Sequence, residues 1–251
     1  MIYVYTRKGK HHRISEDTAL VGDVILSDEN DVLPIPGEGF ICIADGVGGN
    51  SGGSCASSFV TESLSAIRQV VSLEQLKDIL TEINVRLIQK GKEDASLSAM
   101  ASTLTGVYLD SNKRFLIHIG NTRCYTLQGC YLKQITQDHT LCNWLKSVGR
   151  FDDAMDCNKN EITNCFGGGN ASLLSKLYVS EMPPFKKLLL TSDGVHDYVS
   201  VDLLEAILAG SVSGEESCRQ IADAALAAGS EDDISVILVD MQEFSNNLPS
   251  S

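Results

Sequence analysis

Between residues 103 and 135 the chain passes through four apolar, β-favouring runs in succession, at 103–109, 114–119, 123–127 and 131–135. The connections between them are too short to hold a helix. Parallel neighbours need a crossover of a dozen or more residues, so a block of this kind favours antiparallel pairing. Gly129, directly after Gln128, marks a hairpin turn inside the block. Three more runs, at 39–44, 187–191 and 234–239, have the same apolar character. Helical periodicity separates them. Leu76, Ile79, Leu80, Ile83 and Leu87 form one stripe of a helix over 73–90, with Gly91 as its C-cap. Ala56, Phe59, Val60, Leu64, Ile67 and Val71 share a face of a second helix. Two more fall at 202–209 and 215–228, the last stopped by Gly229. A helix pair, a block of strands, then strand–helix–helix–strand is not the alternation of a parallel α/β fold. The order predicts an α+β fold of antiparallel sheets with helices packed outside.

No linker, repeat or low-complexity tract divides the 251 residues, so we expect a single domain over 1–243 and a loose tail over 244–251. The formal charge is −13. With no basic surplus to displace counterions, nucleic acid is excluded as a partner. No run approaches the ~18 apolar residues of a membrane span, and the opening MIYVYTRKGKHHR lacks the apolar core of a signal peptide. The eight cysteines include no C-x-x-C pair and no zinc-finger spacing, and several lie inside apolar runs. These features predict a reduced, cytoplasmic protein.

The stretch FICIADGVGGNSGGSCA, residues 40–56, sets Asp45 at the mouth of a buried strand and follows it with glycines. A dinucleotide fingerprint needs a third glycine where this chain has Ser51, and the Gly-Lys-Ser/Thr ending of a P-loop occurs nowhere. The same design returns in KKLLLTSDGVHDY, where Asp193 and Gly194 follow a strand. It returns in mirror image in GSEDDISVILVD, where Asp232 and Asp233 precede one. One Asp-Gly pair is no more than a turn signal; three acidic sites, each abutting an apolar strand, point further. In an antiparallel arrangement the end of one strand lies beside the start of its neighbour. Asp45, Asp193 and Asp232 are therefore expected to converge on one sheet edge. Burying such carboxylates unpaired costs several kcal/mol each, so they need cations. An all-oxygen set selects Mg²⁺ or Mn²⁺. The glycines let the backbone approach, so that a carbonyl such as that of Gly46 can join the ligands.

In motif order, and over nearly the whole chain, the sequence resembles the metal-dependent protein phosphatases of the PP2C type in their compact bacterial form. RISEDTAL resembles the N-terminal R-x-x-N-E-D segment, ADGVGG the D-G-x-G-G motif and ASTLTGVYL the G-T-T-x strand. HIGNTRCY resembles the G-D-S-R segment, and ITQDHT the T-x-D-H-S stretch. LLLTSDGVHDYV resembles the S-D-G motif, and GSEDDISVILV the G-S-x-D-N-x-T-V-I-V-V motif. The resemblance implies a four-layer α–β–β–α sandwich, two packed antiparallel sheets flanked by helices, with two Mn²⁺ or Mg²⁺ ions at one end. It implies that Asp45 bridges both ions, with the Gly46 carbonyl on one and Asp193 and Asp232 on the other. Asp17, with Glu16, would orient metal-bound water. The implied reaction is hydrolysis of phosphoserine and phosphothreonine in proteins by a metal-activated water, with Asp45, Asp193 and Asp232 as the catalytic carboxylates. The implied partner is a phosphoprotein substrate of a Ser/Thr kinase, and the enzyme itself is expected to be a monomer away from membranes.

The departures from the family pattern matter as much. Val47 stands where many members carry a histidine, which removes a general acid and leaves the metals. Asn121 stands where an aspartate commonly helps hold a third, weaker ion. It is either a weak ligand of that site or the cap of a turn between two strands. Asp233 replaces the usual asparagine, as a ligand or as a strand-edge residue. His139 reads as structural. The segment 141–163 would be a mobile flap that meets substrates, with Trp144 as core packing, and the glycines of CFGGGN, residues 165–170, have no explanation in the sequence. The family's phosphate-binding arginine lies five residues before the aspartate at 17, and here that position is His12, beside Arg13. Adjacent side chains of a strand face opposite ways, so His12 is expected to face the metals and Arg13 to face away unless a bulge intervenes. The altered N-terminal segment and Asn121 support a second reading, a pseudophosphatase of the same fold acting as a binding or regulatory module. A third is a sheet protein that binds a structural Mg²⁺ without turnover.

Overall fold

A computed structural model describes residues 1–47 and 51–241; the expected tail at 244–251, and Gly48 and Gly49 of the glycine stretch, lie outside the described residues. In chain order the strands are β1 (Ile2–Arg7), β2 (Asp17–Val21), β3 (Val24–Leu26), β4 (Val32–Ile35), β5 (Gly39–Val47), β6 (Ala101–Ser102) and β7 (Leu104–Leu109). They continue with β8 (Arg114–Ile119), β9 (Arg123–Gln128), β10 (Tyr131–Gln134), β11 (Phe166–Gly167), β12 (Tyr178–Glu181), β13 (Lys187–Thr191) and β14 (Ile234–Asp240). The helices are α1 (Ser51–Ser65), α2 (Leu73–Glu93), α3 (Leu141–Ser147), α4 (Phe151–Asp156), α5 (Asp193–His196), α6 (Val201–Gly210) and α7 (Gly214–Ala227). One sheet has the order β10-β9-β13-β14-β1-β4; the other runs β11-β6-β5-β7-β8-β12, with β2 on β5 and β3 on β2. All these pairings are antiparallel.

Period-two alternation in the central strands builds the layers. Ile237 and Val239 of β14 join Leu188 and Leu190 of β13, Ile2 and Val4 of β1, and Ile41 and Ile43 of β5 between the sheets. Their sequence neighbours Val236, Leu238, Leu189, Tyr3 and Tyr5 face the other way, onto Leu204 of α6 and Ile221 and Ala225 of α7. On the far side Phe40, Cys42 and Ala44 of β5 meet Val60 and Leu64 of α1 and Leu76, Leu80 and Leu87 of α2. Each fully buried Leu or Ile in these layers is worth about 1.5–3 kcal/mol. Three apolar layers make a four-layer α–β–β–α sandwich.

The expected strands of the central block are present, and β8 and β13 keep the expected bounds. The first four strands are not among those expected. β3 and β4 are only 3 and 4 residues long and hold their place by pairing with β2 and β1. β1 and β2, at 6 and 5 residues, are buried strands missing from the expectation. α1 stops at Ser65, so Ile67 and Val71 lie beyond the helix expected to carry them, and Val71 is exposed. The chain must turn there, because Ser72 caps α2 by accepting from the Gln75 amide. Gly91 does not cap α2, which runs on to Glu93; a Cβ at 91 would lie 2.9 Å from the Leu97 carbonyl, so the glycine serves close packing. The CFGGGN run now has its explanation: Gly167, Gly168 and Gly169 all take φ between +62° and +75°, where side chains are strained. The expectation of eight thiols is corrected as well. α3 and α4 pack together and bring Cys142 and Cys157, 5.8 Å apart at Cα, into a disulfide, while six cysteines stay free. Trp144 on α3 is 50% exposed, not core packing, because α3 is a short helix that buries Cys142 and Leu145 instead. Among the described residues no helix is long and apolar enough to cross a membrane.

Candidate metal centre

Two sheets, not one, build the acidic rim. Asp17 of β2 and Asp45 of β5 are direct partners in the antiparallel register. Asp17 continues the alternation of Ala19 and Val21, and Asp45 that of Ile41 and Ile43, so both sit where the layer between the sheets opens. Asp193 begins α5 just beyond β13, and Asp232 lies just before β14, both on the opposite sheet. The expected single sheet edge is thus corrected. The carboxylates meet across the end of the sandwich, because β5 and β14 belong to different sheets packed face to face. A Cβ on Gly46 would collide with Gly53 of α1, and one on Gly194 with the Asp233 carbonyl, so only glycine lets these segments close on the rim.

The electrostatics follow from this crowding. Burial first, then Asp193, Asp17, Asp232 and Asp233, raise the Asp45 carboxyl well above its ordinary range. Asp17 is raised well above its own by burial and then by Asp233. Asp193 is pushed up to about 7 by burial, Asp232 and Asp197, against the lowering effect of a hydrogen bond from Asn121. Desolvation and like charge make such a set costly as bare anions, and a divalent cation reverses that balance. Two buried oxygens, Asp17 Oδ2 and Asn121 Oδ1, have no hydrogen-bond partner. Orphaned acceptors within an all-oxygen set fit a hard divalent cation.

Asn121 is buried, and its Nδ2 donates to Asp193 Oδ2 at 2.9 Å, which the turn-cap expectation did not foresee. Near it Arg123 clasps Asp138 through Nε at 2.9 and 3.1 Å and Nη2 at 2.7 Å. Asn121, Arg123, Lys146, Lys159 and His196 line a cleft of about 330 Å³ walled by the 141–163 segment. His139 accepts from the Gly120 amide through Nδ1 at 3.1 Å and rests on the His118 ring.

The N-terminal loop meets the rim through Asp233, which is 3% exposed. Carried one residue before β14, the alternation of Ser235, Ile237 and Val239 turns this carboxylate inward. Oδ1 accepts from the Gly9 amide at 2.6 Å, and Oδ2 from the amides of Glu16 at 2.6 Å and Asp17 at 3.3 Å. Hydrogen bonds to a charged acceptor are worth about 1.5–3 kcal/mol each. His12 Nδ1 lies 3.0 Å from the same Oδ2, at an angle that misses a hydrogen bond. Burial opposes charge on His12, but Asp233, Glu16 and Asp232 outweigh it and raise its pKa. Arg13 is exposed. His12, Asp232 and Asp233 offer ligand atoms within 4.8 Å of one another, yet both Asp233 oxygens are already committed to backbone amides. The sequence signalled the acidic residues but not these partners, because no local pattern links 9–17 to 233.

A family model described as protein phosphatase 2C matches residues 34–228. The chain belongs to the protein phosphatase 2C family. This family member is 27% identical over 245 residues to the serine/threonine phosphatase stp of Listeria monocytogenes, which spans 94% of this chain and 93% of that relative. It is 28% identical over 219 residues to the serine/threonine protein phosphatase PstP of Mycobacterium tuberculosis, across 83% of this chain and 41% of PstP. Among solved structures, Stp1 from Staphylococcus aureus superposes on this 2C-type chain with a TM-score of 0.78 at 24% identity, covering 95% of this chain and 94% of Stp1. The Mycobacterium tuberculosis PstP/Ppp structure gives 0.78 at 23% identity, covering 96% and 99%.

Proposed function

We propose that this chain hydrolyses phosphoserine and phosphothreonine in proteins at a binuclear Mn²⁺ or Mg²⁺ centre. The observation that carries the reading is the rim: Asp17, Asp45 and Asp193 are each unfavourable as buried anions, Asp232 adds its charge against Asp45 and Asp193, and Asp17 Oδ2 is buried without a hydrogen-bond partner. Asp45, Asp193, Asp232 and the Gly46 carbonyl would hold two ions, Asp17 their water, and Asn121 Oδ1 a weak third ion. When bound, the ions supply an activated water and neutralise the phosphoryl oxygens. The chain's own groups do the rest. Asn121 fixes one Asp193 oxygen, His12 stands by Asp233 as the nearer group for the substrate phosphate with Arg13 outside it, and the cleft under 141–163 gives a polypeptide flank room beside Lys146 and Lys159. Relatives named serine/threonine phosphatases support the substrate class. The same reading includes a substrate of a Ser/Thr kinase, a monomer, a single domain over 1–243 and a cytoplasmic site of action.

The test is release of phosphate from a phosphothreonine peptide and from p-nitrophenyl phosphate. Turnover should require Mn²⁺ or Mg²⁺, stop on chelation and return with metal. A folded protein that binds Mn²⁺ but turns over neither substrate would favour the pseudophosphatase reading instead.

A further inference from the structure

The two substitutions at opposite ends of the chain that depart from the family pattern, histidine at 12 and aspartate at 233, touch each other at 3.0 Å. We infer that Asp233 is a positioning residue for phosphate recognition: it pins the loop 9–17 and sets the place and orientation of the His12 ring. The inference rests on the proposed phosphatase reading for the substrate, though not for the geometry.

One buried carboxylate accepts from three backbone amides and stands at ion-pair distance from an imidazole. Gly9 on one side, and Glu16 and Asp17 on the other, bracket the segment that carries His12. The bonds therefore close the loop at both ends. The same segment delivers Asp17 into register with Asp45 and seats the Glu16 carbonyl on the Gly46 amide at 2.9 Å. With Nδ1 3.0 Å from Asp233 Oδ2, an ion-pair contact, the imidazolium presents Nε2–H on its other side, and no hydrogen bond from the described residues reaches that atom. An arginine reaches a phosphate with two parallel donors and needs no neighbour to orient it, whereas an imidazole offers one. A histidine in this role needs its ring direction supplied from outside, and Asp233 is the group placed to supply it. An asparagine would keep the size and one acceptor, but not an oxygen pair able to serve three amides and the ring together.

The test is a double-mutant cycle on hydrolysis of a phosphothreonine peptide at fixed saturating Mn²⁺, using wild type, His12→Ala, Asp233→Asn and the double variant. Asp233→Asn should raise KM about five- to tenfold with kcat changed less than about twofold, and the double variant should be within about twofold of His12→Ala. In the Asp233→Asn background, His12→Arg should recover KM, because a guanidinium orients itself. A double variant equal to the product of the single effects, or an Asp233→Asn change confined to the Mn²⁺ requirement, would overturn the inference. A second readout needs no turnover: the His12 ring signals in ¹⁵N-edited NMR, followed as inorganic phosphate is added. They should shift in wild type and need about tenfold more phosphate in Asp233→Asn; equal titrations would overturn the inference. An inactive wild type with this NMR difference intact would fail the phosphatase reading alone.

Discussion

Asn121 holds Asp193 through a 2.9 Å hydrogen bond from Nδ2, while its own Oδ1 is buried without a partner. The amide thus lowers the cost of one carboxylate's charge and offers a neutral oxygen to a cation. Asn121→Asp exchanges the donor for a second negative charge. We expect the Mn²⁺ concentration for half-maximal rate to fall by roughly threefold or more, as a carboxylate is a better hard-cation ligand than an amide. The metal-free protein should melt a few degrees lower and recover with Mn²⁺. An unchanged metal titration would show that Asn121 serves only to hold Asp193.

Asp45 should respond the opposite way in the absence of metal. Its carboxyl is raised well above the ordinary range by burial and by Asp193, so ionisation works against the fold near neutral pH. Asp45→Asn and Asp193→Asn should each lower turnover at saturating Mn²⁺ by about a hundredfold or more. The metal-free melting temperature should stay level or rise. Near wild-type activity in either variant would refute the assigned ligand roles.

Away from the rim, a histidine pair makes stability depend on pH. Burial, then His118, then Lys176 push His139 down to about 4, and burial lowers His118 as well. Both therefore bind fewer protons folded than unfolded, where a histidine titrates at about 6.5. Their contribution is present in full above that value and is lost as pH falls through it toward 4. Melting temperature should drop between pH 6.5 and 4.5, and His139→Gln should flatten that slope. An identical slope in the variant would assign the pH dependence to other groups.

The Cys142–Cys157 bridge closes a loop of sequence separation 15 in the segment that walls the cleft. Chain-entropy reasoning gives such a loop at most about 3 kcal/mol. Denatured without reductant, the protein should titrate six thiols, rising to eight after reduction. Reduction, or Cys142→Ser, should lower the melting temperature and speed proteolytic cleavage around Gly149, between α3 and α4. Eight thiols before reduction would refute the bridge.

Much of the architecture was legible because it is written in short-range pattern. Short continuous apolar runs along β7, β8, β13 and β14 mark strands buried on both faces whatever they pair with, and the apolar stripe of α2 is visible within a few turns. Asp45, Asp193 and Asp232 stand out for the same reason, since each breaks off an apolar run. Where local pattern is weak, or where the outcome lies with a neighbour, the sequence does not show it. Val71 and Gly91 look like parts of helix ends, but the Ser72 cap and the Leu97 carbonyl decide otherwise.

By itself, then, the sequence determined most of the central strands, the main helices with the apolar stripe of α2, and which carboxylates lie at strand ends. Only the tertiary structure decided that the carboxylates come from two sheets, that Asp17 stands opposite Asp45, that Asp233 fastens the N-terminal loop and His12, and that Cys142 meets Cys157. The physical reason is range. Periodicity is set by the backbone geometry of a few residues, whereas register and facing partners are set by packing between segments that can lie more than 200 residues apart.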